Sequence, residues 1–248
     1  AFNEVYAEAQ KTQPWKQWAE DGARQMVESG TTAAADIVTD LDAAGALASQ
    51  GMHGIAYWEV MGWHNAEWME KGRTELIRQL RRMNEEQLPN LGISPHAPYT
   101  LESEPFVDLP DIARQLNMRL HIHLAETPLE AGTYPPVLTT YSAADWSDHD
   151  WESYRQLKEV GKGASAIQFV DQLGSLGPDV HIAHGVWANG EDRRILRQRG
   201  VGVALCPRSN RITNTGKDAP VREYLEEGNL VSVGTDSLSS TPTLDLLD

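Results

Sequence analysis

Residues 119–126 read RLHIHLAE, and this octet decides the architecture. Leu120, Ile122 and Leu124 alternate with His121 and His123, which is the two-residue period of a strand. Both imidazoles therefore leave the backbone on one side, and only His123 lies close to the C-terminal end. Glu126 follows three residues later, past the strand end, where its carboxylate can lean back over His123.

Outward from this octet the same grammar repeats. Residues 31–38 (TTAAADIV), 53–62 (HGIAYWEVMG), 91–98 (LGISPHAP), 179–188 (DVHIAHGVWA), 201–205 leading into CPRSN, and 229–236 (NLVSVGTD) read as six further strands. Helical patterns separate them. Trp15, Trp18, Ala19, Gly22 and Met26 form an amphipathic stripe ended by Gly30. A short helix is expected over 42–50, and a long one carries Leu76, Ile77, Leu80 and Met83 up to Pro89. Others are expected over 104–117, 191–199 and 221–227. Apolar strands joined by helices imply parallel pairing with both faces covered.

A doubly wound open sheet and a (β/α)8 barrel both satisfy this pattern. The unusual polar residues separate them, because they recur at the C-terminal strand ends: Glu59, His96, His123 with Glu126, His184 and Asp236. A barrel gathers those ends around one mouth, whereas an open sheet spreads them along an edge. The expected fold is thus an α/β barrel of the TIM type, one strand short across residues 1–248. Residues 127–162 interrupt the rhythm with Pro128, Pro135, Pro136, Trp146, Asp148, His149, Asp150 and Trp151. They read as an insertion at the mouth, either a lid or a passive cap.

The chain has 248 residues and a net charge of −15, with 40% apolar and 23% charged residues, a globular mixture. Such an acidic balance argues against a nucleic-acid partner, since phosphate binding needs a basic face. No apolar run reaches the ~18 residues of a membrane helix. Cys206 is the only cysteine, so no internal disulfide forms and a reducing cytoplasm is expected. A homo-oligomer is compatible with all of this. A nucleobase deaminase of the His/Cys/Cys type is excluded, because its zinc needs a Pro-Cys-x-x-Cys signature.

Three histidines and three carboxylates at matching strand ends suit a divalent metal. Zinc takes imidazole nitrogen and carboxylate oxygen at about 2 Å and, in a catalytic site, keeps one place for water. His123 and Asp236 are the expected ligands, with His184 beside them and Glu126 as a general acid/base.

The ordered motifs GISPHAPYT (92–100), HIHLAET (121–127), HIAHGVW (181–187), ALCPRSN (204–210) and VGTDSLSSTPTLDL (233–246) resemble the amidohydrolase superfamily. They are nearest its cytosine-deaminase-like and chlorohydrolase-like branch, and the resemblance covers nearly the whole chain. It implies a distorted (β/α)8 barrel holding Zn²⁺, with Fe²⁺ or Mn²⁺ as alternatives, and a small heterocyclic substrate. It places the metal ligands on His123 and Asp236 and the proton-shuttling carboxylate on Glu126. His184 falls beside the metal-activated water and His96 on the substrate, while His121 becomes a structural residue below the site. Arg208, which leaves the 201–205 strand at the mouth with Ser209 and Asn210, either contacts substrate or shapes the turn.

The resemblance to bacterial deaminases of adenosine-type nucleosides, aminodeoxyfutalosine deaminases among them, implies hydrolytic deamination. Activated water attacks the amine-bearing carbon, Glu126 protonates the neighbouring ring nitrogen, and Asp236 and His184 take the water's proton. Triazine or chloro-heterocycle hydrolysis is the alternative on the same scaffold. The superfamily's strand-one His-x-His has no counterpart, and AFNEVYAE (1–8) resembles the sequence that follows it. Helix eight and the terminal β-sandwich are missing too. The chain thus reads as an internal fragment, or as a non-catalytic ligand-binding barrel if the loss is natural.

Overall fold

A computed structural model describes residues 14–85, 88, 90–132, 157 and 159–248. All seven expected strands form one parallel sheet in sequence order: β1 (Ala33–Val38), β2 (His53–Val60), β3 (Leu91–Pro95), β4 (Arg119–Leu124), β5 (Val180–His184), β6 (Gly202–Leu205) and β7 (Leu230–Val233). Each pairs with its neighbours in sequence, so among the described residues β1 and β7 stand at the two ends of a sheet curled as part of a barrel. Register partners share a face. Glu59 sits beside Ser94, and His123 beside Ala183, on the concave side.

Helices cover the convex side. They are α1 (Trp15–Glu28), α2 (Ala46–Ser49), α3 (Asn65–Glu67), α4 (Arg73–Glu85), α5 (Ser103–Gln115), α6 (Ala166–Gln172), α7 (Gly190–Arg199), α8 (Pro207–Ile212) and α9 (Val221–Glu226). The core lies between these helices and the strands' outward residues. Ile93, Leu120, Ile122 and Leu124 meet Leu109 and Ala113 of α5, Ile167 and Val170 of α6, and Leu196 of α7.

Local chemistry explains the element boundaries. The Asn189 side chain accepts the N–H groups of Glu191 and Asp192, and Asp192 returns a carboxylate to the Asn189 N–H, which starts α7 with a reciprocal cap. Gly200 ends it in the left-handed region, where a missing Cβ removes the steric cost. Pro110 lies inside α5 and removes the N–H that would bond Phe106's carbonyl. The hydroxyl of buried Ser175 donates to that carbonyl instead, so the helix continues. Gly92 on β3 is required by a close approach: a Cβ there would collide with the Tyr57 ring, which reaches across β3 to His121 of β4.

Some boundaries differ from expectation. The helix expected over 42–50 divides into a 3-10 turn (Leu41–Ala43) and the four residues of α2, with Gly45 between them. Helices α6 and α8 were not expected from periodicity, being too short to show one. The strand expected over 91–98 stops at Pro95, and that over 229–236 at Val233. His96 and Asp236 therefore stand in the turns just past their strands. Most of the 127–162 insertion, with Trp146, Asp148, His149, Asp150 and Trp151, lies outside the described residues, as do residues 1–8 and Pro89. Among the described residues no helix is long and apolar enough to cross a membrane.

Candidate functional site

The C-terminal strand ends converge. Stitches between neighbouring turns hold them: the His96 N–H bonds Val60's carbonyl, the His123 N–H bonds His96's, and the Gly185 and Trp187 N–H groups bond those of Leu124 and Ala125. Ala125 (φ 55°), His184 (φ 73°) and Asp236 (φ 62°) all adopt left-handed backbone. Non-glycine residues rarely accept that conformation, and its cost tends to collect at functional sites. The His96 and His123 ring centroids are 4.7 Å apart, and those of His123 and His184 5.6 Å.

Hydrogen bonds orient all three imidazoles the same way. His123 Nδ1 lies 3.0 Å from the His96 carbonyl, which only accepts, so Nδ1 carries the proton and Nε2 keeps its lone pair. His184 Nδ1 faces Asn210 Oδ1 at 3.0 Å, with the same result. His96 Nδ1 faces Thr100 Oγ1 at 2.8 Å, and that hydroxyl already donates to Ala97's carbonyl. Three Nε2 lone pairs are thus offered to the mouth. Burial, followed by the charges of His123 and His184, pushes His96 down to about 3. Burial and His184 also lower His123, against the opposing pull of the His96 carbonyl, Glu126 and Asp236. Neutral imidazole is the form that binds a cation or receives a proton.

The carboxylates surround these rings. Glu126 Oε1 lies 3.8 Å from His184 Nε2, and Tyr99's hydroxyl donates to Oε2 at 3.1 Å. Asp236 accepts Ser209's hydroxyl at 2.6 Å on Oδ2 and the Ser237 N–H at 2.6 Å on Oδ1. Glu59 Oε1 is 4.0 Å from His96 Nε2, and burial raises its carboxyl to about 7. Ligand atoms of Glu59, His96 and His123 all lie within 4.8 Å of one another. That donor set, two neutral imidazoles and a carboxylate, fits a divalent cation of the zinc type.

The structure therefore brings His96, His123, Glu126 and His184 to one mouth, with Asp236 close enough for its charge to reach His123. Asp236 stands outside the tight donor trio. Arg208 faces elsewhere, with two of its guanidinium nitrogens on the carbonyls of Asp245 and Asp248. Its α8 neighbours act at the site instead: Ser209 holds Asp236, and Asn210 holds His184. Tyr99 and Thr100 were not singled out from sequence, and Glu59 was placed at the mouth without a role. The signal for Tyr99 and Thr100 was present, since both lie within the same PHAPYT stretch as His96. His121 lies buried below, its ring edge-on to Tyr57. Burial raises the Cys206 thiol to about 12, so no thiolate is available there.

The amidohydrolase family matches residues 10–133 and 139–248. The chain belongs to that family. It is 30% identical over 231 residues to the 5-methylthioadenosine/S-adenosylhomocysteine deaminase of Thermococcus kodakarensis, covering 92% of this chain and 48% of that enzyme. It is 31% identical over 230 residues to the 5'-deoxyadenosine deaminase of Methanopyrus kandleri, covering 91% and 47%. The chain thus spans about half the length of the curated relatives it matches. Its fold is similar to that of an adenosine deaminase from Xanthomonas campestris solved with bound zinc, at a TM-score of 0.70 and 21% identity, over 98% of this chain and 51% of that one.

Proposed function

We propose that these residues form the barrel of a metal-dependent hydrolytic deaminase acting on aminated purine nucleosides or related N-heterocycles. The observation that carries this reading is the set of three Nε2 lone pairs, on His96, His123 and His184, facing one mouth beside the Glu126 carboxylate. The names of both curated relatives support the substrate class.

His123 and Asp236 would hold the ion, zinc foremost, with the Glu59 and His96 donors next to it. Once bound, the metal supplies the Lewis acidity that ionises water near neutral pH. The chain's own groups do the rest. Asp236, steadied by Ser209 and the Ser237 N–H, and His184, through its free Nε2, accept the proton that water releases. Glu126 carries a proton to the ring nitrogen beside the amine-bearing carbon, and the Tyr99 hydroxyl keeps its carboxylate in place. His96 offers Nε2 to the substrate ring. The proton held by Asp236 and His184 passes to the departing amine, the second proton of the added water restores Glu126, and ammonia leaves the oxo-heterocycle behind.

The test is ammonia release by the full-length, zinc-loaded polypeptide from 5'-deoxyadenosine and 5'-methylthioadenosine. Glu126→Gln is expected to lower kcat by about 10²–10⁴-fold. Absence of release from every aminopurine nucleoside offered would overturn the reading.

A further inference from the structure

Glu130 is an acidic residue with no exposed surface and, among the described residues, no cationic partner, and the proposed chemistry does not use it. Its Oε1 accepts the Ala125 N–H at 2.9 Å. Its Oε2 accepts the N–H groups of Glu126 and Thr127, both at 2.9 Å, and the Thr127 hydroxyl approaches at 3.3 Å. Three consecutive backbone donors thus converge on one carboxylate. Such convergence requires a turn with left-handed backbone, which Ala125 supplies at φ 55°.

Part of this is an ordinary helix-start device, since Thr127 and Glu130 cap the 3-10 turn Pro128–Glu130 reciprocally. A cap accounts for the contact to Thr127. It does not account for the bonds to Ala125 and Glu126, which lie before the cap, on the segment carrying the Glu126 side chain out of β4. Burial raises the Glu130 carboxyl to about 8, against the pull of the three N–H groups. Three of its four partners are backbone N–H groups, which only donate, so both carboxyl oxygens serve as acceptors in this ring of contacts.

We propose that Glu130 is a positioning residue: its buried carboxylate sets the 125–127 turn and thereby aims the Glu126 carboxylate at His184 Nε2. This rests on the reading of Glu126 as the proton carrier. In Glu130→Gln the side-chain amide would set an N–H against the N–H of Ala125 or of Glu126 and Thr127, and the turn would reopen.

The experiment measures ammonia release by the full-length, zinc-loaded protein as four forms: parent, E130Q, E126Q and the double variant. E130Q is expected to lose about 10–100-fold in kcat, with KM within about threefold and zinc content unchanged, as supporting contacts around a site commonly do. In the E126Q background, E130Q is expected to cost less than about twofold, because a residue acting through Glu126 has nothing left to aim. A purely structural role would instead lower the activity of both backgrounds equally, and that result overturns the proposal. So does an E130Q kcat within twofold of the parent. If E130Q does not fold, Glu130→Asp is assayed in its place, and failure of both to fold makes Glu130 a folding determinant and ends the positioning claim. An inactive parent is a separate outcome, which sinks the deaminase reading itself.

Discussion

Strands β4 and β7 each deliver a site residue, yet they hold it by different means. β4 lies mid-sheet: Leu120, Ile122 and Leu124 have no exposed surface, and His123 is steadied by packing and by the His96 carbonyl. Among the described residues β7 pairs only with β6: Leu230 is 63% and Val233 58% exposed there, and Asp236 beyond it takes hydrogen bonds from the Ser209 hydroxyl and the Ser237 N–H. The contrast separates two ways of fixing the geometry of a candidate site. One draws on the core that stabilises the whole domain. The other is a local polar clamp that contributes little to global stability.

The largest expected effect tests the first arm. Ile122→Ala should cost about 2–5 kcal/mol in urea unfolding, because it opens a cavity in a closed core. Leu230→Ala should stay within about 0.5 kcal/mol, since its side chain already meets solvent. Equal costs for the two would erase the distinction between the strands.

A smaller effect probes the clamp. Ser209→Ala removes the hydroxyl from Asp236 Oδ2, and it is expected to weaken zinc binding by about 10–100-fold, read by competition with a chelator. Its unfolding free energy should move by only about 1 kcal/mol. A large stability loss with unchanged zinc affinity would show that Asp236 belongs to the core after all.

The least of the three concerns β1, at the other end of the described sheet. Asp36 of β1 is raised by burial from 3.8 to about 6. The folded chain therefore keeps a proton there that the unfolded chain has already released. Stability falls as pH rises from about 4 to 6, and the contribution is level above that window. Asp36→Asn should flatten this decline in urea titrations across the window. An unchanged slope would mean that β1 leaves Asp36 hydrated.

How much of this was legible in the chain follows the range of each interaction. The RLHIHLAE alternation and its repeats displayed all seven strands, because a two-residue period is local. The strand-end position of His96, His123, His184, Glu126 and Asp236 was visible for the same reason, and it pointed to a barrel mouth. The short helices α6 and α8 were not visible, since six or seven residues scarcely complete two turns. Arg208 looked like a substrate contact because it leaves β6 at the mouth. Its guanidinium instead found carbonyls 37 and 40 residues away, a choice no local pattern records.

The amino-acid order by itself determined the strand sequence, the parallel pairing and which side chains reach the C-terminal rim, since these follow from backbone periodicity and chain direction. Tertiary structure alone decided the rest. It set which nitrogen of each imidazole is free, through partners such as Asn210 that lie 26 residues from His184. It also joined Glu130 to the turn behind Glu126 and placed Glu59 beside His96. Hydrogen bonds of that kind depend on distances between atoms on different strands, and those distances exist only once the sheet has curled.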